Sequence, residues 1–482
     1  MPGPIDEGVL DERLAALEGA RPWSPRVVAK LEGLIRGGGD ADLFRINPYR
    51  FAAEKGVAEG EAVDLLLHAA ARNLVVMDWL LICPGCSSAV ESFRSLHTVH
   101  NAFHCTFCDA TWQTTLDDFI AVAFTVSSDV RGIAFHHPES LSPADYCFRY
   151  VMNREGVLPD SRTPFAEMLR KITPALSYLP AKAATDMEVE AREGVVLTGW
   201  SVETDARLKY GVAGPAVAAA QVVPVRFAAG TCKPAEGTVA PGRVVFRVEN
   251  TTNWRGLLGI SAIPADFVRR PLDFTPYLSG KRLVTTQTFR DLFRAEVVGG
   301  SEGIGVRDIT LLFTDLKGST ALYDRIGDLN AFALVQRHFE RLREVTAAHG
   351  GAVVKTIGDA VMATFADAPG AVAAALEMQA AVETFNRDAA ARDLVLKIGI
   401  HKGAAIAVTL NDRLDYFGQT VNIAARVQGL ADADEIYLSG DVHDAPGVAE
   451  LLAPLPVERR LARLRGVGQE VAVYRLAPAA RG

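Results

Sequence analysis

The sequence predicts a multidomain α+β protein: a helical N-terminal module, a β-rich centre and a C-terminal domain in which strands and helices alternate. Three observations predict it. Apolar residues near the N-terminus recur at helical spacing, with Leu10, Leu14 and Leu17 on one face and Val27, Val28, Leu31, Leu34 and Ile35 on another. The middle of the chain breaks into short β-prone runs separated by Gly, Pro and Asn, such as Gly194 to Leu197, Gln221 to Arg226 and Arg243 to Val248. From Val306 onward the two patterns alternate regularly, as in an α/β domain.

Composition narrows the possibilities. A chain of 482 residues corresponds to roughly three ordinary domains. With 49% hydrophobic and 22% charged residues it is globular, with enough apolar material for several cores. Lys and Arg total 50 against 58 Asp and Glu, a formal charge of -8, which argues against a nucleic-acid partner or an anionic-membrane surface. No apolar run reaches the about 18–20 residues of a membrane span. The most apolar segment, Tyr210 to Val225, is broken by Pro215 and Pro224. The first residues carry no basic leader followed by an apolar stretch, so no secretory signal is expected. Six cysteines, four of them in pairs, do not suit an extracellular disulfide scaffold, and the expected setting is cytoplasmic.

In order, residues 1–80 read as a helical module with the spacing of a helix-turn-helix. Asn47-Pro48 starts one short helix and Gly56-Val57 joins it to a second, 59–72. That second helix carries Glu59, Glu61 and Asp64 against Arg72, which phosphates would repel, so it reads as a packing module. Residues 81–115 hold the paired cysteines, and 116–185 read as a mixed α/β connector. Residues 186–284 read as a small antiparallel β-sandwich. A linker helix occupies 285–305, with Phe289, Leu292, Phe293 and Val297 on one stripe between Thr285 and Val298. The final domain covers 306–478, where the Ala-rich segment Gly370 to Phe385 reads as a core helix.

Cys83-Pro84-Gly85-Cys86 and Cys105-Thr106-Phe107-Cys108 are two C-x2-C knuckles at zinc-ribbon spacing. Each knuckle points two thiolates at one ion, and the pair closes a tetrahedron, so a structural Zn²⁺ is expected on Cys83, Cys86, Cys105 and Cys108. His97, His100 and His104 lie between the knuckles, so a His replacing one Cys stays open. Cys147 and Cys232 read as buried apolar fillers. His136-His137 reads as surface histidines and His401-Lys402 as a solvated loop.

The C-terminal domain carries a constellation in three pieces. Ile309 to Thr320 reads as a strand, apolar on both faces, ending in Asp315 and a Gly318-Ser319-Thr320 turn that opens a helix. An acid beside free backbone N–H groups suits a magnesium-bound phosphate. Gly351 to Phe365 reads as two strands around a tight Gly358-Asp359 turn, which offers a second carboxylate for a metal pair. Asp415 to Arg426 ends in a helix on which Asn422 and Arg426, four apart, face the same way.

These pieces, in this order, resemble the catalytic domain of class III adenylate/guanylate cyclases over about residues 306–478. The resemblance implies a ferredoxin-like α/β fold and conversion of ATP to 3′,5′-cyclic AMP and pyrophosphate. It implies two Mg²⁺ or Mn²⁺ ions per active site on Asp315 and Asp359. Lys355 and Asp415 would recognise adenine, with Gly318 and Ser319 at the substrate phosphates. Asn422 would orient the ribose and Arg426 would stabilise the transition state. Arg465 stands where the family places a triphosphate-contacting Lys, and Lys317 where it more often has an apolar residue. A guanylate cyclase would carry an acid at 355 and a small residue at 415; a catalytically silent nucleotide sensor is the non-enzyme alternative.

The expected chemistry is positioning and charge stabilisation, since phosphoryl chemistry of this kind asks little covalent work of the protein. Lys355 and Asp359 lie close together in one hairpin, yet base and metals belong at opposite ends of one nucleotide. The resemblance implies the resolution: a head-to-tail homodimer through the catalytic domain. Each site then takes its acids from one chain and Lys, Asp, Asn and Arg from the other. The N-terminal half is expected to regulate.

Overall fold

In the computed structural model the described residues are all but 1–2, 97–98, 100–101, 269, 295–302, 389–393, 466–469 and 478–482. The N-terminal helices are Glu7–Glu18, Val27–Gly37, Pro48–Lys55 and Glu59–Ala70. The Asn47 side chain accepts a hydrogen bond from the Tyr49 N–H while Pro48 takes the first helical position, where its missing donor costs nothing. Leu10, Leu17, Leu31 and Ile35 are wholly buried, as their spacing predicts. These helices pack on a four-stranded sheet ordered 278–279, 120–126, 75–82, 89–93. Trp79 lies fully buried at its centre.

Two sheets follow, facing each other across one apolar core that includes Leu197, Phe227, Phe246 and Ile260. The pairing is not wholly antiparallel, as the short runs had suggested. Gln221–Ala228 runs parallel to Gly242–Asn250, and Arg207–Val212 parallel to Glu236–Val239. Strand direction is set by long-range pairing, which local alternation cannot reveal. Cys147 and Cys232 are buried.

The connector is a short helix, α1 (Gln287–Leu292), capped at Phe293. It ends well before Val298, and Val297 lies outside the described residues. The C-terminal domain then runs β1 (Ile304–Leu316), α2 (Asp328–Ala348), β2 (Gly351–Ile357), β3 (Ala360–Phe365), α3 (Ala368–Asp388), β4 (Leu396–Leu410), β5 (Arg413–Phe417), α4 (Gln419–Gln428), β6 (Ile436–Ser439), β7 (Val457–Arg463) and β8 (Glu470–Leu476). The sheet order is β2-β3-β1-β4-β6-β8-β7, with β5 paired to β4.

Alternation along β1 explains how this sheet is buried on both faces. Leu312 and Leu316 enter a core shared with Leu342, Val345, Ala371 and Met378 of α2 and α3. Ile309, Leu311 and Phe313 enter the opposite core, which runs without interruption into the N-terminal module through Trp79, Phe124 and Phe289. Among the described residues, no helix is long and apolar enough to cross a membrane.

Candidate functional site

β1 and β3 run antiparallel, with Thr314 opposite Val361. Asp315, one residue further along β1, therefore emerges beside the Gly358-Asp359 turn. Gly358 adopts φ 64°, a left-handed conformation that favours glycine, and this places Asp359 at the hairpin tip. The Thr314 hydroxyl accepts the Val361 N–H at 3.1 Å and locks the strand ends. The Asp359 Oδ2 is buried and has no hydrogen-bond partner. Asp315 Oδ2 is paired with the ammonium of Lys397, its cross-strand neighbour on β4. One orphaned carboxylate oxygen and one already drawn to a cation form a donor set that a divalent ion fits.

Lys355 Nζ lies 2.5 Å from Asp415 Oδ2, a pair between β2 and β5. Asp415 is 6% exposed, and its Oδ1 also accepts the Tyr416 N–H at 2.8 Å. Lys355 stands opposite Met362 in the hairpin register, not opposite Asp359. Lys355 and Asp359 are thus separated along this hairpin. On α4, Asn422 is exposed and Arg426 half-buried, one turn apart. Arg465 is exposed after β7, and Gly318 opens the helix that begins at Ser319 with φ 75°. Lys317 is engaged by Asp432, whose pKa that contact lowers. His401 is buried against the Ser439 hydroxyl at 2.8 Å rather than in a solvated loop, and burial pulls its pKa down. Lys402 pairs with Asp308 at 3.1 Å.

Three neighbours of these residues escaped the sequence reading. Lys397 is one. Gln287 and Arg290 of α1 are the others. Gln287 Oε1 accepts the Val353 N–H at 2.9 Å, at a bulge in β2 two residues before Lys355. Arg290 Nη1 donates to the Leu414 carbonyl at 2.9 Å, one residue before Asp415, and its guanidinium lies 5.6 Å from the Tyr416 ring centroid. The connector therefore grips both strands that carry the Lys355–Asp415 pair.

The cysteine cluster is a second site. Its four sulfurs lie within 4.8 Å of one another. Cys83 to Cys108 and Cys86 to Cys105 are each 3.6 Å, close to the about 3.8 Å edge of a tetrahedron built on Zn–S bonds of about 2.3 Å. The two knuckles share one local geometry. Ser87 N–H donates to the Cys83 carbonyl and Asp109 N–H to the Cys105 carbonyl, each at 2.8 Å. Ser87 and Asp109 both take positive φ, 58° and 55°. Hydrogen bonds from neighbouring thiols, Cys108 first, draw the Cys105 pKa down, while burial holds Cys86 well above the ordinary thiol range. His104 is not in this cluster. It faces Asp205 at 3.3 Å and Asp109 at 3.7 Å. His97 and His100 lie outside the described residues. His136 Nε2 sits 2.9 Å from the Val126 carbonyl, and His137 faces Glu139.

Residues 11–291 match the model of a family of unknown function, DUF5939, and residues 305–450 match the adenylate and guanylate cyclase catalytic domain. The chain is 31% identical over 137 residues to an adenylate cyclase of Anabaena cylindrica, a match covering 26% of this chain and 27% of the relative. It is also 31% identical over 138 residues to adenylate cyclase 1 of Rhizobium meliloti (strain 1021), covering 26% of this chain and 21% of the relative. The chain thus spans about a quarter of the length of these relatives. Among solved structures, the adenylyl cyclase CyaB from P. aeruginosa is similar at 22% identity and a TM-score of 0.32, over 36% of this chain and 96% of that one. The match to the adenylate and guanylate cyclase catalytic domain falls within the C-terminal α/β region.

Proposed function

We propose that this chain, which belongs to the DUF5939 family of unknown function, is an adenylate cyclase that converts ATP to 3′,5′-cyclic AMP and pyrophosphate. One observation carries the reading: Lys355 and Asp415, far apart in sequence, meet at 2.5 Å. That pair presents an ammonium donor and a carboxylate acceptor side by side, which complements the N1 acceptor and exocyclic amine of adenine. Guanine, with a carbonyl and a ring N–H at those positions, meets like against like.

Asp315 and Asp359 would hold Mg²⁺ or Mn²⁺, which when bound supplies a lowered pKa for the attacking ribose hydroxyl and charge neutralisation for the leaving pyrophosphate. Asn422 holds the ribose so that the 3′-oxygen faces the α-phosphorus. Arg426 meets the charge that grows on the α-phosphoryl oxygens. Arg465, Gly318 and Ser319 bind the remaining phosphates. Two copies pair head to tail, each site drawing acids from one chain and the other groups from its partner. Cys83, Cys86, Cys105 and Cys108 would hold Zn²⁺, which when bound would join the two C-x2-C knuckles. The connector α1 transmits the state of the N-terminal region to the adenine-reading strands.

The test is turnover of ATP and of GTP by purified protein, read as cyclic nucleotide. The native chain is expected to favour ATP, and Lys355→Glu with Asp415→Cys to shift preference toward GTP. Unchanged ATP preference in the double variant contradicts the base-reading assignment.

A further inference from the structure

The N-terminal module contains a basic cavity that the catalytic reading does not use. It has a volume of about 490 Å³ and lies between helices 27–37 and 48–55 and the segment around Arg154. That volume falls within the about 300–1,000 Å³ of small-molecule sites. Its charged lining residues are Arg45, Arg50, Lys55 and Arg154 against Asp42 and Glu54.

The cations are gathered against their own electrostatics. Among the described residues, neither Arg154 nor Lys55 has an ion-pair partner. Burial first, and then the like charge of Arg50, lowers the Arg154 pKa. Arg45 spends one guanidinium nitrogen on the Tyr150 carbonyl at 2.6 Å and lies over the Phe44 and Tyr150 rings. Its Nε is buried with no hydrogen-bond partner. A buried donor without a partner is costly, and the unpaired Arg154 beside Arg45 and Arg50 is unfavourable unless an anion joins them.

We propose that this cavity binds a phosphate-bearing small metabolite that regulates the chain. A phosphate group brings close to two negative charges and three acceptor oxygens, which matches several convergent guanidiniums better than a single carboxylate does.

The cavity is wired to the connector. Arg50 holds both oxygens of the buried Glu155, at 2.9 and 2.8 Å. Glu155 Oε2 in turn accepts the Thr275 hydroxyl at 2.6 Å. Asn47, another lining residue, donates to the Pro276 carbonyl at 2.8 Å. From Pro276 the chain runs through strand 278–279 and helix 280–284 directly into α1. An anion that competes for Arg50 weakens its hold on Glu155, the residue that anchors Thr275 at the start of the segment leading to α1. This coupling rests on the cyclase reading; the binding itself does not.

The experiment is isothermal titration calorimetry of the full chain with inorganic phosphate at constant ionic strength, beside Arg154→Gln and Lys55→Gln. Among the described residues neither has an ion pair, so the variants are expected to fold, and circular dichroism checks that they do. Saturable binding to the native chain, weakened about tenfold or more in each variant, is expected from the loss of one charge-assisted contact. Absent binding, or equal binding in native and variant chains, overturns the site. In parallel, phosphate is expected to change cyclic AMP formation by the native chain and not by Arg154→Gln. Binding with an unchanged rate overturns the coupling alone, and a chain that makes no cyclic nucleotide overturns the cyclase reading while leaving the calorimetry as the test of the cavity.

Discussion

The two faces of the catalytic sheet are buried by different means. One is covered by helices of the same domain: α2 and α3 seal Leu312, Leu316, Ala363 and Ile398 into a core that needs no other part of the chain. The other face, with Ile309, Leu311, Phe313 and Tyr416, continues into the core of the N-terminal module. A catalytic domain built this way has its own stability on one side and a borrowed cover on the other. The borrowed side is also where Gln287 and Arg290 reach the strands of Lys355 and Asp415. The N-terminal module and the C-terminal sheet therefore share a core, not only a tether.

The largest expected effect separates chemistry from that shared core. If Asp315 holds a metal ion as proposed, Asp315→Ala should lower cyclic AMP formation by about 10³-fold, since metal stabilisation is worth several kcal/mol. The denaturation midpoint should stay close to native. A variant that keeps native turnover would move the metal site elsewhere. Next comes Phe289→Ala, at the centre of the shared core with 1% exposure and edge-on to Trp79 at 6.0 Å. It should cost about 3–5 kcal/mol in chemical denaturation and destabilise both regions together. Two separate transitions, with the catalytic one unmoved, would show that the cover is not shared.

The self-sufficient side yields the smallest effect. His338 on α2 is buried, and desolvation pulls its pKa from 6.5 down to about 4. Because the folded state resists the proton, the stability from keeping this ring neutral is complete above pH 6.5 and is lost as pH falls toward 4. At pH 5 the loss should be about 2 kcal/mol relative to neutral pH, and His338→Phe should remove that part of the pH dependence. An identical pH profile in the variant would refute it.

The same contrast decides what the sequence makes legible. Asp315, Gly358, Asp359, Asn422 and Arg426 are readable because each sits in a short local pattern, a strand end, a tight turn or one helix face. Lys355 and Asp415 are readable as a pair only through family resemblance, because they are 60 residues apart. The connector's grip is invisible at that level. Gln287 reaches a residue 66 positions away and Arg290 one 124 positions away, and no periodicity encodes such pairing. Lys397 beside Asp315 and the parallel strands of the central sheets are hidden for the same reason, since ladder partners are set by topology. The amphipathic stripe at Phe289 and Phe293 marks a buried helix correctly but not its length; the helix stops at Leu292.

The most direct test of the shared-site account mixes two inactive chains. Asp315→Ala retains Arg426, and Arg426→Ala retains both acids, so a mixed dimer contains one complete site. If sites form between two copies, equal mixing should restore about a quarter of native cyclic AMP formation, because half the dimers are mixed and each has one intact site of two. No recovery, with subunit exchange shown by differently tagged chains, would contradict it.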